Sequence, residues 1–105
     1  MNIAIDYDDT YTEDPELWDS FIAAAKNRGH KVYCVTRRNP LKAADIRRAM
    51  ELMDVEIIFV ADGMTKRTAT VVQIDVWIDD NPKTIDSAYR PMLVRQRPLA
   101  RRRAR

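Results

Sequence analysis

Four short segments carry the side chains that could do chemistry. The first holds Asp6, Asp8, Asp9 and Thr10 in DYDDT, the second Thr36, Arg37 and Arg38, the third Asp62 and Lys66, and the fourth the pair Asp79-Asp80. Carboxylates gathered in one place repel one another unless a cation neutralises them. Oxygen donors with no His or Cys beside them favour a hard ion, and Mg²⁺ is the cofactor they imply. A divalent ion with Lys66 and a threonine hydroxyl makes a place for phosphate oxygens. A carboxylate held against such a phosphate is a candidate nucleophile.

The elements between these segments explain how they meet. Residues 2–6 form a short apolar run ending in acid and read as a buried strand. Asp14-Pro15-Glu16 predicts an N-cap, a first-turn proline and a first-turn acid, followed by a helix with Leu17, Trp18, Phe21, Ile22 and Ala25 on one stripe and Gly29 as its stop. Lys31–Thr36 is a second strand, and Asn39-Pro40 repeats the cap signal before a helix striped by Ile46, Ala49, Met50 and Met53. Residues 55–61 form a third strand, whose near-continuous apolarity predicts burial on both faces. A weak helix is expected over 66–73, a fourth strand over 74–78, and a last helix from Asn81-Pro82 to about residue 89, stopped by Pro91. Residues 92–94 could add a short edge strand. Strands alternating with helices predict an α/β fold, a three-layer Rossmann-like sandwich on a four- or five-stranded, mainly parallel sheet. Ligands of such sheets bind beyond the carboxyl ends of the strands, which is where all four segments fall.

Composition narrows the class further. One hundred and five residues make one domain, and the apolar and charged fractions are those of an ordinary globular chain. No apolar run approaches the ~20 residues that span a bilayer, and residues 1–6 do not read as a signal peptide. Cys34 is the only cysteine, which excludes an internal disulfide and a multi-cysteine zinc site and predicts a reducing, cytoplasmic setting. The charge is split. Residues 1–94 hold twelve basic and sixteen acidic side chains, whereas 95–105 hold six arginines and no acid. The expected organisation is one folded domain over 1–94 and a basic tail over 95–105.

In their order and context the segments resemble the haloacid dehalogenase (HAD) superfamily of phosphatases and phosphotransferases. Its first motif, an apolar strand followed by D-x-D-x-T, is matched by Asp6, Asp8 and Thr10, and its second, a strand ending in Ser or Thr, by residues 32–36. The lysine of its third motif is matched by Lys66, and the paired acids of its fourth by Asp79 and Asp80. Tyr11 departs from the usual aliphatic residue, a change expected to touch packing rather than chemistry. The resemblance implies a Mg²⁺-dependent phosphatase of phosphomonoesters. Asp6 would attack phosphorus and carry an aspartyl-phosphate, and Asp8 would act as acid and then base. The metal would be held by Asp6, the Asp8 backbone carbonyl and Asp79, with Asp80 helping through water. Thr36 and Lys66 would bind the phosphoryl oxygens. The stretches where relatives insert cap domains, 7–13 and 62–65, are too short for one. An open site that accepts large substrates, or a cap borrowed from a neighbouring subunit in an oligomer, is therefore implied.

Other residues have simpler readings. Thr10, Arg37 and Arg38 are candidates for substrate contacts, with solvated loop positions the alternative for the arginines. Asp62 suits a turn beside Gly63, Cys34 a core position, and Trp18 and Trp77 the core. The tail could contact nucleic-acid phosphates, bind an acidic neighbour, or have no partner. The substrate is a phosphorylated molecule of unstated class, and no membrane partner is expected. Two rival functions stand beside the phosphatase. One is a receiver-like phosphoacceptor signalling domain in which Asp62 would serve. The other is a nucleic-acid-binding module with a vestigial HAD site.

Overall fold

The computed structural model describes residues 1–87. The stop expected at Pro91, the strand at 92–94 and the tail at 95–105 lie outside the described residues. The chain runs β1 (Asn2–Ile5), α1 (Pro15–Asn27), β2 (Lys31–Thr36), α2 (Ala44–Met53), β3 (Glu56–Phe59), α3 (Lys66–Ala69), β4 (Val76–Ile78) and α4 (Lys83–Asp86). Single 3₁₀ turns at Tyr11–Glu13 and Pro40–Lys42 precede the two long helices. All four strands are parallel, in the order β3-β2-β1-β4. Helices flank the sheet, and the architecture is the α/β sandwich that the strand–helix alternation predicts.

Strand alternation divides the core into two layers. Ile3 and Ile5 of β1 and Val32 and Cys34 of β2 face α1 and α2, meeting Ile22, Ala25, Ile46 and Met50. Ala4, Tyr33 and Val35 point the other way, onto Val60, Ile74 and the side chains of Ala69 and Val72. Ile5, Ile22 and Ile46 are fully buried, and truncating any of them to Ala should cost about 2–5 kcal/mol.

The helix ends follow the local chemistry of the sequence. Asp14 accepts the Leu17 N–H at 3.2 Å and Pro15 occupies the first turn. Gly29, at φ +88°, turns the chain out of α1. Lys26 in the last turn of α1 donates to the carbonyls of Met53 and Asp54, satisfying acceptors at the end of α2. Asn39 caps the 3₁₀ turn, accepting the Leu41 N–H at 2.9 Å, and α2 itself starts after Ala43.

Four expectations shift, one of them the last helix, which ends at Asp86 with Ser87 already extended instead of running to about residue 89. The helix expected over 66–73 ends at Ala69, and Thr70 is already extended. Successive β-branched residues (Thr70, Val71, Val72) lose side-chain freedom in a helix and stop it. The third strand is shorter than 55–61 and lies at the sheet edge, where Ile57, Ile58 and Phe59 are half-buried and Glu56 is exposed. An apolar run reports on the two faces of a strand and says nothing of its neighbours. The fourth strand begins at Val76, although the Asp75 N–H still donates to the Asn2 carbonyl at 2.8 Å. No helix among the described residues is long and apolar enough to cross a membrane.

Candidate active site

The strand order places the first and fourth segments side by side. β1 is followed in sequence by β2 on one side, and β4 returns to pair on the other, so the order reverses between β1 and β4. Such a switch point leaves a crevice beyond the carboxyl ends of the two strands. Ile5 is in register with Ile78, and the Asp6 N–H donates to the Ile78 carbonyl at 3.0 Å. Asp6 and Asp79 thus leave adjacent strands at the same height.

Lys66 joins them from the start of α3. Its ammonium donates to Asp6 Oδ1 at 3.0 Å and to Asp79 Oδ2 at 2.5 Å, and the residue is only 3% exposed. A buried ammonium is tolerable only when paired in this way. The helix start is fixed by a reciprocal cap in which Thr65 accepts the Thr68 N–H and Thr68 accepts the Thr65 N–H. Asp79 is further held by the Asn81 N–H on Oδ1 at 2.9 Å.

One oxygen from each of Asp6, Asp79 and Asp80 lies within 4.8 Å of the other two. Thr10 locks Asp80 in place. Its hydroxyl donates to Asp80 Oδ1 at 3.0 Å and accepts the Asp80 N–H at 3.1 Å, with Asp6 Oδ2 at 3.5 Å. Three carboxylates and no nitrogen or sulfur donor form a set suited to a hard cation. This donor set fits a hard divalent cation without selecting one.

Charge balance gives the cluster its character. Burial pushes the Asp6 carboxyl up to about 8, Asp79 adds to the effect, and Lys66 opposes it. For Lys66, burial works against the charged form, but Asp6 and Asp79 outweigh it and hold the ammonium above its ordinary value. One lysine thus faces two carboxyl groups, and burial disfavours the charged form of Asp6. Cys34, below the site, is pushed up to about 12 by burial, with Asp6 adding, and stays an unreactive thiol.

The remaining candidates are placed differently. Asp8 has both carboxylate oxygens on Arg38, at 2.7 and 3.2 Å. Thr36 is buried at the end of β2, where its hydroxyl accepts the Arg38 N–H at 3.1 Å. Arg37 turns to backbone. Its Nη2 donates to the carbonyls of Met64 and Ser87, both at 2.8 Å, and Nε finds no partner among the described residues. Arg37 therefore clips together the chain after β2, β3 and β4. Asp62 is exposed and is not part of the acidic cluster. Tyr11 is buried, stacked on Tyr7, with its hydroxyl donating to Asp19 at 2.6 Å. Sequence reasoning missed Asp45, which binds Arg38, and Thr84, whose hydroxyl lies 3.5 Å from Asp79 Oδ2. An acid in the first turn of α2 was the only signal for Asp45, and it reads equally as a helix-dipole partner.

No family model, curated protein or solved structure matches the chain.

Proposed function

We propose that this chain is a Mg²⁺-dependent phosphatase that works through an aspartyl-phosphate on Asp6. The observation that carries the reading is the convergence of Asp6, Lys66 and Asp79 at the switch point of the sheet. The order of the four segments, which resembles the HAD phosphatases, supports it.

Asp6, Asp79 and Asp80 would hold the metal, with the Asp8 carbonyl a further ligand implied by the resemblance. Bound Mg²⁺ supplies charge to the phosphoryl oxygens and orients them for in-line attack. The chain's own residues do the rest. An ionised Asp6 oxygen forms the bond to phosphorus as the ester P–O bond breaks, and Asp8, in a protonated state released from Arg38, gives its proton to the departing oxygen. Water then attacks phosphorus, Asp8 takes its proton, and the Asp6–phosphorus bond breaks to release inorganic phosphate. Lys66, with Thr36 at the same sheet edge, offsets the charge on the phosphoryl oxygens. Asp6 is held by a strand end and Asp8 by a loop, which suits a fixed nucleophile and a proton carrier.

Strand order weighs against the receiver reading. The receiver-type sheet runs 2-1-3-4-5 and sets its third strand beside its first. Here β3 is separated from β1 by β2, which takes Asp62 away from Asp6. The nucleic-acid reading rests on residues 95–105. We place the enzyme in a cytoplasmic setting on its single buried thiol. The test is phosphate release from p-nitrophenyl phosphate and a panel of phosphometabolites and oligonucleotide ends, with Mg²⁺ and with chelator. Turnover that survives excess chelator, or an inert protein across the panel, would reject the reading.

A further inference from the structure

Arg38 follows β2 by two residues, and its guanidinium is saturated. Nε donates to Asp8 Oδ2 at 3.2 Å and Nη2 to Asp8 Oδ1 at 2.7 Å. On its other side Nη1 donates to Asp45 Oδ1 at 3.0 Å and Nη2 to Asp45 Oδ2 at 3.2 Å. Nη1 also donates to the Lys42 carbonyl at 3.0 Å. These five bonds use every N–H a guanidinium has. The guanidinium carbon also lies 5.8 Å from the centre of the Tyr7 ring, which is stacked on Tyr11 at 5.3 Å. Both tyrosines are buried, so the guanidinium rests on a fixed base.

This geometry bears on Asp8. The Asp8 side chain is half exposed and stands on a loop, and alone it would sample several rotamers. A fork-to-fork pair with arginine fixes both of its oxygens. Proton transfer is sensitive to such placement, since an error of about 1 Å can cost on the order of 10²-fold in rate. Asp45 in turn fixes the arginine, so the first turn of α2 helps to set a carboxylate beyond β1.

We propose that Arg38, braced by Asp45, is a positioning residue that holds the ionised Asp8 carboxylate to take the proton of the water that attacks the phosphoryl unit on Asp6. The proposal rests on the phosphatase reading. It separates Arg38 from a direct phosphate clamp, because a clamp would need donors that are here already used. It also separates fork geometry from charge, because lysine would keep the charge and lose both the fork and the stacking.

The experiment compares the wild type, Arg38→Lys, Asp45→Asn and the double variant on p-nitrophenyl phosphate and on an alkyl phosphate. Mg²⁺ binding is followed by calorimetry. Arg38→Lys should bind Mg²⁺ as the wild type does and lose about 10–100-fold in kcat, while KM does not rise. The loss should fall on hydrolysis of the Asp6–phosphate, so the phosphoenzyme should accumulate in the variant on both esters. Asp45→Asn should lose about 3–10-fold, and the double variant should be no worse than Arg38→Lys, because Asp45 acts through Arg38. An unchanged kcat in Arg38→Lys, additive losses, or a raised KM at constant kcat would each overturn the proposal, the last by making Arg38 a phosphate ligand. If Arg38→Lys does not fold, Asp45→Asn decides alone, and its kcat must fall. Turnover in the wild type with unaffected variants removes this proposal only. A wild type with no turnover removes the phosphatase reading and the proposal together.

Discussion

Thr10 and Asp80, 70 positions apart in sequence, exchange two hydrogen bonds across the seam between β1 and β4. The threonine uses its donor and an acceptor on one partner, so the loops after the two strands are tied at a single point. Thr10→Val keeps the shape and removes both bonds to Asp80, which is exposed to water. It should cost about 0.5–1.5 kcal/mol in urea denaturation and weaken Mg²⁺ binding in calorimetry. Thr10→Ser should restore most of both. A Thr10→Val protein with wild-type stability and Mg²⁺ affinity would show that the tie is incidental.

Asp6→Asn should lower kcat on the order of 10⁴-fold, as loss of a nucleophile does, without loss of fold. Trapping the phosphoenzyme with a beryllium fluoride mimic should place the modification on Asp6. A modified Asp62 would favour the receiver reading instead.

The metal-free protein should lose stability as pH rises from about 4 to about 8. The Asp6 carboxyl is raised from 3.8 to about 8, chiefly by burial, so the folded chain keeps a proton that the unfolded chain has released. That contribution is complete below the unfolded value and is lost as pH passes the folded one. Lys66 stays charged across the window because its own value is raised. One proton limits the slope to about 1.4 kcal/mol per pH unit. Urea denaturation in chelator at pH 5 and pH 8 measures it, and Asp6→Asn should flatten the difference.

Mg²⁺ held by Asp6 would displace the proton that burial favours there. Apparent affinity should therefore rise about tenfold per pH unit below about 8 and level off above it. Calorimetry in buffers of different ionisation enthalpy should find close to one proton released. Ca²⁺ should support little turnover, since it accepts more ligands and a looser geometry than Mg²⁺. A pH-independent Mg²⁺ affinity would contradict the proton on Asp6.

Deleting residues 95–105 should leave hydrolysis of a small ester unchanged, because the clustered side chains lie between Asp6 and Asp80. If the tail binds nucleic acid, the deletion should weaken that binding and flatten its salt dependence. Loss of small-ester turnover in a folded truncation would bring the tail into the site.

Much of the fold could be read from local chemistry. Asp14-Pro15-Glu16 announces α1 because a side-chain acceptor and a missing N–H suit only a helix start, and the structure shows that cap. The run Lys31–Thr36 is a strand over its whole expected length. The meeting of Asp6 with Asp79 was also legible, since each ends an apolar run and parallel sheets gather such ends. Lateral order was not. Nothing in the residues of β3 distinguishes an edge position from a central one, so its half-burial came only with the structure. The partners of Arg38 were equally hidden. Its side chain can reach solvent, phosphate or carboxylate, and only the approach of α2 brings Asp45 within range.

The pairing of β1 with β4 also sets a sequence of events. β1 can meet β2 after one short crossover, but β4 reaches β1 only after some 70 residues have been laid down, and it contributes three residues to the sheet. Closing the longer loop costs more entropy and returns fewer contacts. Asp6 and Asp79 stand on opposite banks of this late junction. The centre should therefore form late in folding and open early when the sheet loosens. An ion held by both banks would act as a rivet, slowing amide exchange in β4 well before it altered exchange in β2.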